Sequence, residues 1–182
     1  MAINKANILQ ITDFVGRYAI AQNEFLDDNS LEIIHELEYN LFIDLLGAEL
    51  YNEFVDDLVD GVPQTQKWLN FLNGATYTDC YGCVRNYLGV KSFLVPLVYS
   101  EFIQSSKNFN SNLGLVTPKS ENSNKTSEFD IRQKVYKSHN EGVRYYDECY
   151  LFLYTYDADY PNFYDFFKKK TVKGFYNKIT TR

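Results

Sequence analysis

The longest segment with apolar residues at helical spacing runs from Val84 to Phe109, and its composition predicts that it is buried in the protein interior. Its apolar side chains recur at helical spacing and occupy more than one side of the predicted helix. Ser100 and Glu101 interrupt its most apolar part, which is too short to cross a bilayer. Pro96 lies within the segment and is expected to kink the helix. The segment therefore predicts the buried centre of a helical bundle.

The same periodicity predicts further helices on both sides of this segment. Gly47 and Gly74 are expected to end two of them, because glycine readily adopts the backbone angles that close a helix. The first stretch, from Ile8 to Ala21, predicts either a short helix or an N-terminal arm. The other predicted helices cover residues 31–46, 48–59, 65–72, 129–156 and 162–169, with a loop at 77–82. We therefore predict an all-α fold, a small helical bundle that occupies one domain over residues 1–167.

Residues 110–127 break the helical pattern, because they are rich in Ser and Asn. They predict a long central loop that could include a short β-hairpin, and loops of this length are often functional. The apolar residues in it are too few to form a core of their own, and an extended segment can add a strand to a neighbouring chain. We predict a subunit contact at Leu113, Gly114, Leu115 and Val116.

The charge of −6 is unevenly distributed along the chain. Residues 168–182 hold six of the 18 basic residues and no acid, so the other 12 are outnumbered by all 24 acidic residues. This asymmetry predicts an extended C-terminal tail that docks on a charged partner, although a solvated terminus gives the same pattern. The predicted tail contacts are Lys168, Lys169, Lys170, Lys173, Phe175, Tyr176, Lys178 and Arg182.

Aromatic residues make up 17% of the chain, with 16 Tyr and 14 Phe. Tyr and Phe provide large contact areas and are enriched at subunit interfaces, although an AT-rich genome also favours their codons. The three cysteines are an odd number without disulfide spacing, which fits reduced thiols in the cytosol. The first residues lack the apolar region of a signal peptide, so we expect none.

The two histidines do not complete a metal motif. His35 would start a zinc-protease helix, but Tyr39 stands where the second histidine is needed. Glu32 and His35 match half of a di-iron motif, and no second copy exists around His139. We expect neither a metal nor another cofactor, and no catalytic residues.

Cys80 and Cys83 form a Cys-x-x-Cys pair that can be half of a zinc site or a redox dithiol. A structural zinc needs two more ligands, and a redox motif normally follows a strand of a βαβ unit. Both contexts are missing here. We predict two free thiols at a junction between a loop and a helix.

Five signals follow one another in an order that resembles a known family. They are Leu45-Leu46-Gly47-Ala48-Glu49-Leu50-Tyr51, then Trp68-Leu69 with Leu72-Asn73-Gly74 and Tyr77, then Leu97, Tyr99, Phe102 and Ile103, then Leu113-Gly114-Leu115-Val116 with Lys119-Ser120, and finally Tyr145-Tyr146. Their order and spacing over residues 31–154 resemble the head–tail connector (adaptor or ring) proteins of tailed bacteriophages, especially those of crAss-like phages and Bacteroidetes prophages. The abundant aromatics and the basic tail depart from the commoner prophage pattern.

The resemblance implies a virion structural protein that forms a ring of about twelve subunits beneath the portal. The ring would join capsid to tail and surround the DNA channel, with the Gly114 loop reaching a neighbouring subunit. The implied partners are other copies of the chain, the portal protein and neighbouring connector or tail proteins. DNA would be only non-specific channel content, and no membrane is involved. The implied location is the neck of the virion, assembled in the host cytoplasm.

Two alternatives remain open from the residues. The first is a nucleic-acid-binding module that acts through the basic tail, because lysines interleaved with aromatics can follow a phosphate backbone. The second is a metal-dependent helical enzyme. Salt-dependent DNA binding and metal content, respectively, test these alternatives.

Overall fold

Helices dominate the computed structural model, which describes residues 5–20, 27–105, 109–111, 114–116 and 128–163. The long helices follow the predicted periodicity, and the first ends directly before Gly47, as predicted. Residues 161–163 are also helical. The other helices are α1 (Asp27–Leu46), α2 (Ala48–Asp56), α3 (Gln66–Asn73), α4 (Lys91–Ser105) and α5 (Glu128–Thr155).

The prediction of an all-α fold is wrong, because the described residues also form antiparallel hairpins. Each hairpin pairs two short strands that are neighbours in the sequence. The fold is therefore mixed, although helices still provide most of it. The strands are β1 (Leu58–Val59), β2 (Val62–Pro63), β3 (Ala75–Thr78), β4 (Val84–Tyr87), β5 (Phe109–Ser111) and β6 (Gly114–Val116).

The first hairpin replaces the predicted end of the second helix. α2 stops at Asp56, and the chain turns through Asp60 and Gly61, whose φ angles are 52° and 77°. Two-residue hairpin turns favour positive φ at both central positions, which explains the Asp-Gly pair. The prediction of a helix up to Val59 was therefore wrong.

The second hairpin replaces both the predicted loop at 77–82 and the predicted start of the central helix at Val84. α4 begins only at Lys91 and continues through Pro96. Tyr77 and Tyr87 point inward from the two strands, and the Tyr87 ring stacks on Phe152 of α5 with centroids 4.7 Å apart. Tyr77 also contacts Phe152, with ring centroids 5.3 Å apart, so the second hairpin packs on α5 through one tyrosine from each strand.

The end of α3 packs closely against the end of β4, and two glycines permit this close approach. Gly74 and Gly89 have φ angles of 93° and 87°. A Cβ atom would lie 2.3 Å from the Tyr87 carbonyl oxygen at Gly74, and 2.5 Å from the Leu72 carbonyl oxygen at Gly89. Only glycine combines this backbone conformation with so close an approach.

The core contains an aromatic cluster that joins α1, α2, α3 and the turn after α5. Neighbouring ring centroids in it are 5.4 to 6.4 Å apart, and every member is at most 1% exposed. This cluster fixes the short helices against the long ones. Its members are Phe42, Phe54, Trp68, Phe71 and Tyr160.

Residues 5–20 form an N-terminal arm, so of the two alternatives for this stretch the short helix is wrong. Two 3₁₀ turns, Ile11–Asp13 and Gly16–Tyr18, are its regular structure. Among the residues that the structure describes, no helix is long and apolar enough to span a membrane.

Candidate subunit-contact surface

The predicted contact residues are only partly within the described chain. Leu113 and the tail residues 168–182 lie outside it. Gly114, Leu115 and Val116 form β6, which pairs with β5 in the register Phe109↔Val116. The contacts predicted for both segments therefore stay predictions.

The tip of the first hairpin exposes two valines that sequence reasoning did not select. Val59 and Val62 are cross-strand partners and are 57% and 54% exposed. They flank the Asp60-Gly61 turn, while Pro63 beside them is buried. An apolar cross-strand pair at a hairpin end is stabilised when another surface covers it.

The tip of the second hairpin exposes larger apolar residues. Tyr81 is 81% exposed and Val84 is 75% exposed, the two highest values among the exposed large hydrophobic residues. Tyrosine at an exposed turn offers a rigid aromatic contact with little entropy to lose on binding. Together, the tips at Val59 and Val62 and at Tyr81 and Val84 are called here the hairpin-tip surface.

A buried carboxylate makes the second tip rigid. Asp79 accepts hydrogen bonds from the backbone amides of Tyr81 and Cys83, both at 2.9 Å. It also accepts one from Nε of Arg85 at 2.5 Å. The Arg85 guanidinium, helped by these amides, holds the pKa of Asp79 below its ordinary value, so the carboxyl is ionised at neutral pH. These hydrogen bonds hold the backbone of the turn that carries Tyr81.

Cys80 and Cys83 are exposed on this same turn, whereas Cys149 is buried in α5. The predicted junction between a loop and a helix is therefore a hairpin turn instead. Across the described residues, no group of three or more His, Cys, Asp or Glu side chains is arranged to hold a metal ion.

Glu32 and His35, which match half of a di-iron motif, have other surroundings in the structure. His35 Nε2 lies 2.9 Å from the carbonyl oxygen of Leu9, so its ring contacts the N-terminal arm. Glu32 is exposed. His139 is half-buried beside Leu97 and Tyr146, and this burial lowers its pKa. The structure does not bring the two histidines together.

A depression of about 330 Å³ lies between β4 and α5. Arg85 in its wall pairs with Asp79 and lies 3.8 Å from Glu148, while Arg144 stacks over the Tyr145 ring. The Ser92 hydroxyl in this wall donates to the Gly89 carbonyl at 2.5 Å. These polar groups therefore serve the local structure rather than forming a nucleophile with a base.

One face of α1 is acidic and exposed. Glu32, Glu36, Asn40 and Asp44 recur every four residues and are all exposed. Residues at this spacing lie above one another on a helix. The row presents three carboxylates along the length of α1 and forms what we call the acidic face.

The model of a family of unknown function, DUF6712, matches the chain over residues 42–168. The match extends from the end of α1 to the first lysine of the tail and leaves the N-terminal arm outside. No curated protein and no solved structure matches the chain.

Proposed function

This chain belongs to the DUF6712 family, and we propose that it is a structural subunit of the ring at the portal vertex of a tailed bacteriophage. In this proposal the ring joins the capsid and portal to the tail and surrounds the DNA channel. The resemblance to head–tail connector proteins over residues 31–154 supplies the biological setting. The hairpin-tip surface is the observation that carries the proposal.

The hairpin tips favour assembly because they leave apolar side chains in water. Burying Tyr81 or Val84 in a contact stabilises it by roughly 1.5–3 kcal/mol for each side chain. A cyclic ring joins two different patches of neighbouring subunits. A second copy of this chain is the partner that we assign to the tips, because in a ring of identical subunits each copy contributes both patches of the contact.

The acidic face of α1 suits a wall that borders packaged DNA. Phosphates bind proteins through cationic side chains, and a row of carboxylates repels them instead. We assign this face to the channel, where DNA must pass without being retained. The basic tail then belongs on another protein chain of the neck, with Phe175 and Tyr176 as its anchors.

The experiment is to purify the full chain and to image it by electron microscopy, with the mass measured by light scattering. The wild type is expected to form rings. Tyr81→Ser with Val84→Ser should abolish them while the subunit stays folded, because the apolar contact is lost. Tyr136→Ser is the control, since Tyr136 is 50% exposed on α5, away from the tips. A wild type that stays monomeric at every concentration contradicts the proposal.

The charge asymmetry favours nucleic-acid binding through the tail as a second candidate. Two double variants separate the candidates: Phe175→Ala with Tyr176→Ala, and Lys169→Ala with Lys170→Ala. Docking on protein predicts that loss of the aromatics weakens assembly more, because a screened ion pair contributes only about 0–1 kcal/mol. Binding to DNA predicts that loss of the lysines dominates and that affinity falls steeply with salt.

A further inference from the structure

The N-terminal arm lies against the helices as a separate segment. Among the described residues, each of its backbone-to-backbone hydrogen bonds stays within the arm. Its apolar anchors are nevertheless deeply buried, since Leu9 has no exposed surface and Phe14 is 4% exposed. The described hydrogen bonds between arm and body therefore all involve a side chain on at least one side, and no backbone ladder joins the two.

The groove that receives the arm contains a buried carboxylate. Glu38 of α1 is 2% exposed, and its two oxygens accept hydrogen bonds from the amides of Ile8 and Leu9 at 2.8 and 2.9 Å. Tyr51 of α2 accepts a third, from the amide of Ala6 at 2.9 Å. Without an arm, these acceptors would lose their partners and an apolar site would open to water. The groove therefore requires an arm to fill it.

Charges fix the direction in which the arm lies. Asp13 of the arm pairs with Lys91 of α4 at 2.8 Å. Arg17 of the arm pairs with Glu141 of α5, which also accepts a hydrogen bond from the Tyr18 hydroxyl at 2.6 Å. The arm thus carries a negative charge at Asp13 followed by a positive charge at Arg17. The groove places a positive charge, Lys91, and a negative charge, Glu141, opposite them.

We infer that in the assembled ring the arm of one subunit occupies the groove of its neighbour. The inference rests on the proposed function, because it needs an assembly. A ring contact joins two unlike patches that fit each other, and the arm and the groove of this chain are such a pair. The same hydrogen bonds and ion pairs form whether the arm belongs to the same chain or to the next, so exchange keeps every contact and links the subunits.

Two charge-reversed chains test the inference. The arm variant carries Asp13→Lys with Arg17→Glu, and the groove variant carries Lys91→Asp with Glu141→Arg. Neither changes the net charge. Each variant alone opposes like charges at both pairs and should assemble roughly tenfold more weakly than the wild type. A chain with all four substitutions restores both pairs and is the matched control.

The decisive sample is a co-expressed mixture of the two variants, with an affinity tag on one. Exchange between neighbours places each reversed arm on a reversed groove and each native arm on a native groove. The mixture should then assemble as well as the wild type, in rings that contain both chains. A mixture that assembles no better than its components overturns the inference.

The behaviour of the wild type distinguishes a failure of arm exchange from a failure of the proposed ring function. If the wild type forms rings and the mixture is not rescued, each arm stays on its own subunit and the ring function stands. If the wild type forms no assembly at all, the ring function fails and arm exchange fails with it.

Discussion

The aromatic cluster and the anchors of the N-terminal arm, Leu9 and Phe14, are all buried, but different interactions hold the two regions in place. The cluster consists of ring contacts, and such aromatic pairs add about 0.5–1.5 kcal/mol beyond the burial of their area. The arm combines two apolar anchors with a buried carboxylate and two ion pairs.

This difference separates global from local stability. Ring contacts of the cluster join four parts of the fold, so their loss weakens the whole domain. The polar contacts of the arm join one segment to the body, and salt and pH act on them directly. The arm can therefore leave the groove while the cluster holds the helices in place.

Phe71→Ala should have the largest effect, because Phe71 contacts four other rings of the cluster. Removing a buried phenylalanine ring costs about 3–5 kcal/mol through lost burial and the cavity left behind. Denaturant unfolding measures this loss. Tyr136→Ala is the control and should change the free energy of unfolding by less than about 0.5 kcal/mol. A small effect at Phe71 would mean that the cluster does not hold the domain together.

Gly89→Ala should have the next largest effect. Both Gly89 and Gly82 have positive φ, at 87° and 80°, but a Cβ at Gly82 meets nothing within 4 Å. Gly82→Ala therefore costs only the backbone strain, about 1–3 kcal/mol. Gly89→Ala adds the collision with the Leu72 carbonyl and should lower the free energy of unfolding further. Equal losses in the two variants would contradict the close approach of α3 and β4.

Glu38→Gln should loosen the arm without weakening the cluster. Glutamine places an NH₂ group where the carboxyl group of Glu38 has its second oxygen, so one of the arm's amides loses its acceptor in either protonation state of Glu38, at a cost of about 1–3 kcal/mol. Amide hydrogen exchange should accelerate at Ile8 and Leu9 and stay unchanged in α4. Glu36→Gln is the matched control, because Glu36 is exposed on the same helix. Faster exchange throughout the domain would contradict a separable arm.

The pH dependence of the free energy of unfolding, compared between the wild type and Glu38→Gln, provides a second test. Burial raises the pKa of Glu38, although the amides of Ile8 and Leu9 and the charges of His35 and Lys91 oppose the shift. The folded state therefore holds this proton more tightly than the unfolded state. The stability contributed by Glu38 is fully present below its ordinary pKa and declines as pH rises through the raised pKa. The stability of the wild type relative to Glu38→Gln should fall with rising pH over that window.

The comparison also shows what the sequence could predict. The long helices were predictable because their apolar residues repeat locally, and Gly47 marks the end of α1. The first two hairpins were missed because their strands are short and, in the second, because Tyr87 and Val90 fit the helical pattern of α4 as well as a strand and a turn. The third hairpin was allowed for, because the break in helical pattern after Phe109 predicted a loop that could include one. The second hairpin packs on α5 through Tyr77 and Tyr87, and α5 lies distant in the sequence.

The arm was less predictable than the hairpins for a different reason. Glu36 and Glu38 are two residues apart in the same acidic run, yet one is exposed and the other is 2% exposed. Helical spacing places Glu38 on the same face of α1 as the buried Ile34 and Phe42, but no local pattern identifies residues 5–20 as the segment that covers this face. The hairpin-tip surface was missed because Val59 and Val84 were assigned to predicted helices, whereas Val62 lay between two predicted helices and was not recognised as part of a hairpin.

Substitution of the two exposed cysteines should have the smallest effect on stability, and the reactivity of the three thiols should distinguish the native surface from the interior that only global unfolding exposes. Cys80 and Cys83 are exposed, whereas Cys149 is fully buried and burial raises its pKa to about 12. A thiol reagent should modify the two exposed thiols of the native protein at once. Cys149 should react only upon global unfolding, because the thiolate is the reactive form. Cys80→Ser with Cys83→Ser should change the free energy of unfolding by less than about 0.5 kcal/mol and leave assembly intact, since the described residues offer these thiols no further ligands. Cys149→Ala, the matched control, should cost more because it opens a cavity beside Tyr87. Stoichiometric zinc in the purified wild type, lost together with stability in the double variant, would contradict this prediction.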